Sequence, residues 1–370
     1  MVRLLLVVVT TGVACGMPSC SDRAASPPSP DSDADVDVDV DVDSDLDSDA
    51  TPDSDPAGGR DGDLDDDGAI AVPDAAETGP SREPVTAVFV ADLNGSYGST
   101  SYGAPVHDTV ARILAMRPDL VVSLGDMVAG QQAGLDYDAM WAAFHDAVSD
   151  PLSAAGIPFA VTPGNHDASG YSSFAGERAV FVREWAARRP DVRFLDDSSY
   201  PLRYSFIVGP ALFVSLDATV VGPLDREQME WLTTQLWTGR DLPASIVFGH
   251  LPLYPVSEGR ETEIIGDPAL EDLLAAHGVD LVLAGHDHAY FPGRRGGLKL
   301  VAAACLGAGP RALLGTDAPS VRSMLVVEVS ASGEVRLEAY GGDRFDEVVP
   351  RSSLPEQVGT GDQVLRRDDL

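Results

Sequence analysis

The sequence predicts an α/β domain over residues 84–345. Short aliphatic runs alternate there with longer segments in which apolar residues recur at helical spacing, the pattern of strands that alternate with helices. Several of the aliphatic runs end in a polar residue beside a glycine or in a tight loop. Because ligands of α/β sheets bind beyond the carboxyl ends of the strands, the same observations also predict where a functional site lies.

The individual elements can be assigned in order along the chain. The aliphatic runs predict six strands, at residues 85–90, 119–124, 158–162, 211–216, 244–248 and 281–284. The helical spacing predicts five helices, within residues 104–118, 137–148, 174–189, 225–237 and 268–278. A last pair of strands within 323–340 is predicted to turn at Ser332 and Gly333. The polar residues 346–370 are predicted to form a tail outside the domain.

Residues 1–14 look like an export signal. They carry one arginine and an apolar run that is too short to span a bilayer. Together with Cys15 the segment resembles a bacterial lipoprotein signal, in which the cysteine is lipidated and becomes the mature N-terminus, although Gly12 stands where such signals usually carry an aliphatic residue. Cys20 as the lipidated residue and an ordinary secretory signal are the alternatives. We expect an exported protein, in the periplasm or at the cell surface, that meets the membrane only through its lipid.

Residues 15–83 form a strongly acidic segment. Positions 21–80 contain 20 acidic residues, two basic residues and no aromatic residue, and they supply more than half of the formal net charge of −34. Such a composition buries too little apolar surface to offset the entropy cost of ordering, which predicts a disordered linker. The rest of the chain is also acidic, which argues against nucleic acid as a partner.

One part of this linker has the spacing of a calcium loop. Asp63, Asp65 and Asp67 precede Gly68, and Asp74 occupies the twelfth position of the loop. In a tract this rich in aspartate the same spacing also arises by chance. A calcium site and a generic acidic spacer are therefore both open.

Polar residues stand at five strand ends of the predicted domain. In the segment GHDH, an extended chain would place His286 and His288 on one side and Asp287 on the other. Two neutral imidazoles on one side suit a metal ion, but an isolated pair is more often a solvent-facing strand end. Four of the seven histidines lie at such ends, which favours one shared site. The polar residues at the five ends are Asp92, Asn94, Asp126, Asn165, His166, His250, His286 and His288.

The ordered series of motifs resembles that of the calcineurin-like metallophosphoesterase family. The series is DLN at 92–94, GD at 125–126, GNHD at 164–167, GH at 249–250 and GHDH at 285–288, and the resemblance covers roughly residues 86–290. It implies a four-layer αββα sandwich of two mixed β-sheets flanked by helices, with a dinuclear metal site at the carboxyl ends of the strands. It also implies a hydrolase of phosphate esters, and DLN looks like a subgroup with asparagine in place of the usual histidine.

The resemblance implies a role for each residue of the site. Asp126 would bridge two divalent metal ions, of manganese, iron or zinc. One ion would be held by Asp92, Asn94 and His288, and the other by Asn165, His250 and His286. His166 would bind no metal but would lie over the phosphate, where it stabilises charge or protonates the leaving oxygen. Two ions about 4 Å apart lower the pKa of a water molecule and align the attacking and leaving oxygens.

Two departures limit this transfer of roles. Asn94 replaces an imidazole, which makes the shell of the first ion mostly oxygen and favours Mn²⁺ over Zn²⁺. Alternatively, Asn94 is only a turn residue, and a water or Tyr97 completes the shell. The second motif, GDMVAG at 125–130, lacks the DRG of protein phosphatases and the tyrosine that defines purple acid phosphatases, so both classes are disfavoured.

Other features leave alternatives open. Monoester and diester hydrolysis both fit the motifs, and a catalytically silent surface module that binds calcium and recognises a partner is the alternative to an enzyme. His107, His145 and His277 lie in helix-like segments and are expected at the surface or at helix caps. Arg294, Arg295 and Arg311 are candidates for contact with a substrate phosphate, and Tyr97, Ser99 and Tyr102 for lining the mouth of the cleft, with plain surface positions as the alternative.

Overall fold

The structure is a computed structural model, and it describes residues 83–307 and 309–370. The expected signal peptide, Cys15, the calcium-loop candidate and nearly all of the acidic linker lie outside the described residues. Within the described part, none of the helices has the length and apolarity needed to cross a membrane.

The described residues form fifteen strands and seven α-helices. The strands are β1 (Val85–Val90), β2 (Leu120–Ser123), β3 (Phe159–Val161), β4 (Arg193–Ser199), β5 (Arg203–Val208), β6 (Ala211–Ser215), β7 (Ala244–Gly249), β8 (Leu281–Ala284), β9 (Phe291–Arg295), β10 (Leu298–Ala302), β11 (Met324–Val329), β12 (Val335–Gly341), β13 (Glu347–Val348), β14 (Gln357–Val358) and β15 (Leu365–Arg367). The helices are α1 (Ala104–Met116), α2 (Tyr137–Phe144), α3 (Asp150–Ala154), α4 (Asn165–Ala168), α5 (Ala175–Ala186), α6 (Arg226–Thr238) and α7 (Pro268–Ala276). All six strands, the hairpin and the five helices that the sequence predicts are present.

Two mixed sheets are packed face to face. The first has the order β13-β12-β11-β1-β2-β3, and the second has the order β14-β15-β9-β10-β8-β7-β6-β5-β4. Side chains alternate along β1, so that Ala87 and Phe89 pack between the sheets while Val88 and Val90 face the helices. The core between the sheets includes the stacked rings of Phe206 and Phe213, whose centroids are 5.1 Å apart.

Helices cover the outer face of each sheet. Apolar residues of α1, α2 and α5, among them Val110, Met140 and Phe181, pack on the first sheet. Leu232 of α6 and Leu274 of α7 pack on the second sheet. The order of layers is helix, sheet, sheet, helix, which confirms the predicted four-layer αββα sandwich.

The helical segment after Asp136 contains a π-helical turn at His145–Ser149 between α2 and α3. Pro151 has no N–H and crowds the preceding turn, and a wider turn accommodates it. His145 is 3% exposed, with Nδ1 2.7 Å from Ser149 Oγ and its ring stacked on Trp141. The expectation of a surface or capping position is therefore wrong for His145, because the π turn directs its ring into the aromatic cluster. His107 is exposed and His277 caps α7, as expected.

The C-terminal residues are part of the sandwich. Strand β15 pairs with β9, and β13 pairs with β12. Val358 is 1% exposed and Leu365 2%. The polar tail expected for residues 346–370 is thus corrected. Strand β15 covers β9, which would otherwise be an edge of the second sheet, and β13 covers β12 in the first sheet. Strands of two or three residues are too short to show a strand period in the sequence.

The sheet topology brings the predicted site together. Strands β1, β2 and β3 are mutually parallel in one sheet, and β7 and β8 are parallel in the other. The carboxyl ends of these five strands meet at one end of the sandwich, where the Asp92 carboxylate, just after β1, accepts a hydrogen bond from the His286 backbone N–H, just after β8, at 3.1 Å.

Candidate metal centre

Asp92, Asp126 and His250 form the centre of the site. All three are buried, and each offers a ligand atom within 4.8 Å of those of the other two, so that together they can hold a metal ion. They come from the ends of three different strands, β1, β2 and β7. The sequence elements that predicted a metal site therefore converge in space.

The backbone is strained at four of the predicted ligands. Asp92, Asp126, His286 and His288 have φ angles of 51°, 56°, 67° and 51°, and they are four of the seven non-glycine residues with positive φ among the described residues. This conformation is unfavourable by about 1–2 kcal/mol for a residue with a side chain, and it persists where the surroundings over-determine it, often at functional sites. A Cβ on Gly125, which precedes Asp126, would lie 2.7 Å from His250 Nδ1, so only glycine fits there.

One side of the centre contains Asp92, Asn94 and His288. His288 Nε2 lies 3.3 Å from Asp92 Oδ1, while its Nδ1 lies 3.1 Å from the carbonyl oxygen of Gly309. A carbonyl only accepts hydrogen bonds, so Nδ1 carries the hydrogen and Nε2 presents its lone pair to the centre. Asn94 is 4% exposed, and its Oδ1 has no hydrogen-bond partner among the described residues. A buried, unsatisfied amide oxygen is costly in a folded protein unless it binds something.

On the other side, two imidazole nitrogens converge on one amide oxygen. His250 donates from Nδ1 to the Leu124 carbonyl at 2.8 Å, and its Nε2 lies 2.8 Å from Asn165 Oδ1. His286 Nε2 lies 3.1 Å from the Glu263 carboxylate, and its Nδ1 lies 3.2 Å from the same Asn165 Oδ1. Two imidazole nitrogens and an amide oxygen directed at one place can bind a cation between them once the imidazoles are neutral. This donor set fits a divalent metal ion.

Burial and the neighbouring charges shift the pKa values of the groups at the centre. Burial lowers the pKa of His250, but the charge of Asp126, the hydrogen bond with it and the charge of Asp92 raise that pKa to about 9. Burial raises the pKa of Asp126, but the charges of His250 and His166 and their hydrogen bonds bring it well below the usual range. Burial lowers the pKa of His286 to about 4, so this ring is neutral, as a metal ligand must be.

His166 lies beside the centre. Its backbone N–H donates to Asp126 Oδ1 at 3.0 Å, and its Nδ1 lies 3.4 Å from the Gly130 carbonyl oxygen. The Tyr97 ring lies 5.5 Å from the His166 ring, centroid to centroid. His166 and Asn165 are partly exposed, unlike the other predicted ligands, which are buried.

Two carboxylates inside the motifs hold the loops together. Asp167 of GNHD accepts hydrogen bonds from the backbone N–H groups of Met127 at 2.7 Å, Val128 at 2.9 Å and Gly164 at 3.1 Å. Burial and the charge of Asp126 raise its pKa to about 8. Asp287 of GHDH accepts from the Val256 N–H at 2.9 Å. These residues fix the loops that carry the ligands.

Glu263 is the residue of the site that the sequence did not predict. It contacts His286 Nε2 and forms an ion pair with the buried Arg260. Burial raises the pKa of Glu263, but the hydrogen bond from His286 and the charge of Arg260 bring it down to about 2. Glu263 lies in a loop without a motif, thirteen residues after His250, so nothing in its local sequence marks it.

Several predicted contacts with substrate are not near the centre. Arg294 on β9 donates to the Leu370 carbonyl oxygen at 2.7 Å, and Arg295 pairs with Glu271 at 2.9 Å. Both arginines occupy a different part of the second sheet because β9 turns away from the end of β8. Tyr102 donates to the Met127 carbonyl oxygen at 2.7 Å and supports the loop below the mouth. Arg311 stays close, since its backbone N–H donates to the His288 carbonyl oxygen at 3.2 Å.

Comparison with known proteins places the chain among metal-dependent phosphoesterases. The model of the calcineurin-like phosphoesterase family matches residues 86–290. Purple acid phosphatase 22 of Arabidopsis thaliana is 30% identical over 219 residues, which cover 58% of this chain and 46% of the relative. Tartrate-resistant acid phosphatase type 5 of Homo sapiens is 28% identical, over 46% of this chain and 55% of the relative. The chain spans about half the length of the curated relatives it matches.

Solved structures share the fold. The purple acid phosphatase PPD1 from yellow lupin (Lupinus luteus) seeds aligns with a TM-score of 0.55 and 19% identity, over 72% of this chain and 53% of that one. GAP50, described as the anchor in the inner membrane complex of Plasmodium, aligns with a TM-score of 0.50 and 16% identity, over 72% of this chain and 87% of that one. At these identities the likeness extends to the fold.

The relatives include members of a class that the motifs disfavoured. The missing tyrosine of GDMVAG disfavoured purple acid phosphatases, and yet the chain is similar in sequence to several of them. A single metal-site residue is therefore a poor guide to overall similarity. The family match, which covers more than half of the chain, and the fold agree: this chain belongs to the calcineurin-like phosphoesterase family.

Proposed function

We propose that this protein hydrolyses phosphate esters with two divalent metal ions. The observation that carries the proposal is the convergence of His250 Nε2 and His286 Nδ1 on Asn165 Oδ1, at 2.8 and 3.2 Å, beside the carboxylates of Asp92 and Asp126. One ion would be held by Asp92, Asn94, Asp126 and His288, and the other by Asp126, Asn165, His250 and His286. The contact between Asp92 and His288, and the unsatisfied Asn94 oxygen, support the first set.

The bound ions would lower the pKa of a water molecule and polarise the phosphoryl oxygens. The residues of the chain then have three tasks. Asp92 and Asp126 balance the positive charge, and the neutral His and Asn ligands leave part of it to act on the substrate. The backbone hydrogen bonds of Asp167 keep the two motif loops in register.

His166 would supply the proton for the leaving group. In hydrolysis the oxygen of water bonds to phosphorus, the ester P–O bond breaks, and the departing oxygen needs a proton. The Nδ1 of His166 faces the Gly130 carbonyl oxygen, which makes Nε2 the ring atom from which a proton can be transferred. The partial exposure of the ring at the edge of the buried ligands places it where a substrate enters.

Glu263 would position His286. Its carboxylate accepts from His286 Nε2, which fixes the hydrogen on that nitrogen and directs the Nδ1 lone pair towards Asn165. Arg260 holds the Glu263 carboxylate in turn. This contact defines a single tautomer of His286 in the folded protein.

The two ions are expected to differ. Three of the four ligands in the Asn94 set offer oxygen, which suits Mn²⁺, whereas the other set has two imidazoles and suits Zn²⁺ or Fe. Mono- and diesters are both candidate substrates.

A panel of chromogenic phosphate mono- and diesters tests the activity. The proposal requires metal-dependent turnover of at least one ester by the purified chain, together with its loss in Asp126→Asn. A protein that retains both ions and hydrolyses none of the esters would instead be a catalytically silent binding module.

We also propose, from the sequence alone, that the protein is exported and lipidated at Cys15. The mature protein should partition into detergent, and Cys15→Ser should abolish this behaviour. Mass spectrometry that finds an unmodified mature N-terminus at another residue would exclude lipidation at Cys15.

A further inference from the structure

The exposed apolar residues are concentrated around the candidate metal centre. Of the eight exposed large hydrophobic residues in the described part of the chain, four lie on loops that follow the carboxyl ends of β1, β3 and β6. They are Tyr97, Tyr171, Val220 and Val221, and we call them the apolar rim. A cluster of exposed apolar side chains next to a buried polar centre is typical of a ligand-binding surface.

Tyr97 joins the rim to the catalytic residue. It is 39% exposed, and its ring lies 5.5 Å from the ring of His166, at an interplanar angle of 55°. The neighbouring Gly98 N–H donates to the Ala129 carbonyl oxygen at 3.0 Å, which attaches this loop to the GD motif loop. A group bound against Tyr97 would therefore lie next to His166, which would supply the proton for the leaving oxygen.

Backbone contacts connect the other rim residues to the second ligand set. The Gly170 N–H, beside Tyr171, donates to Thr219 Oγ1, beside Val220, at 2.9 Å. The Gly222 N–H, beside Val221, donates to the Ile264 carbonyl oxygen at 2.9 Å. Because Ile264 follows Glu263, which contacts His286, this part of the rim borders the ligands of the second ion.

The charges around the rim favour a substrate with an uncharged organic group. Arg178 forms an ion pair with Asp217, on the loop that carries Val220 and Val221. Arg260 forms an ion pair with Glu263. These two cations are already neutralised by carboxylates, and they are poorly suited to bind additional phosphates of a polyanionic substrate.

We propose that the apolar rim binds the organic part of the substrate, so that the preferred substrates are phosphate esters of aromatic or other bulky apolar alcohols. This inference rests on the proposed function. Hydrolysis would release the apolar group as the free alcohol, with the proton supplied at His166, and leave the phosphoryl group at the metal centre. Tyr97 and Tyr171 would then determine specificity, whereas the metal ligands determine turnover.

The kinetic test compares phenyl phosphate with 2-naphthyl phosphate. The two leaving groups have similar acidity and differ by one fused ring, so the ratio of their kcat/KM values reports contacts of the organic group. We expect the wild type to prefer the naphthyl ester by about tenfold, a typical value for a few additional apolar carbons in a pocket. Tyr97→Ala and Tyr171→Ala should each lower the ratio several-fold, and Tyr97→Phe should preserve it.

Trp237→Ala is the matched control. Trp237 is the most exposed of the eight hydrophobic residues, at 61%, but it lies in the last turn of α6, away from the loops of the site. Its removal should leave the ratio unchanged. A wild-type ratio near one, or a ratio unaffected in both Tyr97→Ala and Tyr171→Ala, would overturn the inference even if hydrolysis is efficient.

A binding measurement separates failure of this inference from failure of the proposed function. Calorimetry with phenylphosphonate and 2-naphthylphosphonate, on the metal-loaded protein, needs no turnover. We expect the wild type to bind the naphthyl compound more tightly and Tyr171→Ala to lose this preference. That result would support binding of the organic group by the apolar rim even if the protein hydrolyses no ester. Equal affinities for the two phosphonates would contradict it.

Discussion

Two buried histidines in this protein have pKa values that are shifted in opposite directions. His145 is 3% exposed in an aromatic cluster of the helical layer, and burial and the charge of Arg188 lower its pKa. His250 is fully buried at the end of β7, and the charges of Asp126 and Asp92 raise its pKa to about 9 despite burial. His145 has a serine hydroxyl at 2.7 Å from its Nδ1 and the Glu184 carboxylate at 3.4 Å from its Nε2, whereas His250 presents Nε2 to the oxygens of Asn165 and Asp126.

The contrast shows what distinguishes a candidate ligand from a core histidine. Burial is common to both, and both rings have a carboxylate beside them. The difference lies in Arg188, whose charge opposes that of Glu184 at His145, and in the backbone, since residues next in space to His250, such as Asp126 and His286, are held at positive φ. We therefore expect substitutions at the metal centre to change metal binding and turnover, and substitutions at His145 to change stability only.

The largest effect is expected for His166→Ala. The variant should keep both metal ions, because no metal ligand is removed, and should lose about 100- to 10,000-fold in turnover, as is typical when a general acid is removed. Metal analysis and steady-state kinetics on the same preparation check both parts. Turnover near that of the wild type in the metal-loaded variant would exclude the proposed role.

Glu263→Gln should weaken the binding of one ion. The amide is isosteric with the carboxylate, but it carries no charge and no longer fixes the hydrogen of His286 on Nε2. Loss of such a supporting contact typically lowers metal affinity by about 10- to 100-fold. Calorimetric titration with Zn²⁺ should show one weakened site and one unchanged site. Two unchanged affinities would mean that Glu263 does not position His286.

Asn94→His should change metal preference more than total binding. An imidazole in place of an amide oxygen makes the first site richer in nitrogen, which shifts preference from Mn²⁺ towards Zn²⁺. Titrations of the wild type and the variant with both metals would show the shift, which we expect to be about tenfold. If the two proteins have the same affinities, Asn94 does not contact the metal.

The smallest effect is expected at His145, where His145→Gln should leave turnover unchanged and flatten the pH dependence of stability. The pKa of His145 is lowered in the folded protein, so the unfolded chain binds the proton first, near its ordinary pKa of about 6.5. The wild type should therefore lose stability as the pH falls below that value, by at most about 1.4 kcal/mol per pH unit for one proton. Urea unfolding at pH 7.5 and 5.5 measures the difference between the two proteins. Equal slopes would mean that this ring titrates normally in the folded state.

The fold was largely predictable from the sequence where elements are long or periodic. Strands such as β1 and β8 are continuous aliphatic runs because both of their faces are covered, and α1 and α6 show helical spacing. Strand β4, with the sequence RFLDDSS, lies at the edge of its sheet and has no buried residue, so it has no apolar pattern. Strand β9 contains a proline and a glycine, and both residue types argue against a strand when only the local sequence is considered.

The site was predictable to the extent that motifs mark it. The residues at the five strand ends do lie together, since parallel strands direct their carboxyl ends to one edge. The role of Glu263 depends on a loop conformation that no local pattern specifies. The burial of His145 depends on a π turn, and the positive φ angles at four ligands depend on contacts between distant loops.

The most direct test of the central claim is the metal content of the purified chain after loading with Mn²⁺ and removal of excess metal. Plasma mass spectrometry should find close to two ions per wild-type chain, one or fewer in Asp126→Asn, and two in His145→Gln. Less than one ion per wild-type chain, or the same content in Asp126→Asn, would contradict a two-metal centre bridged by Asp126.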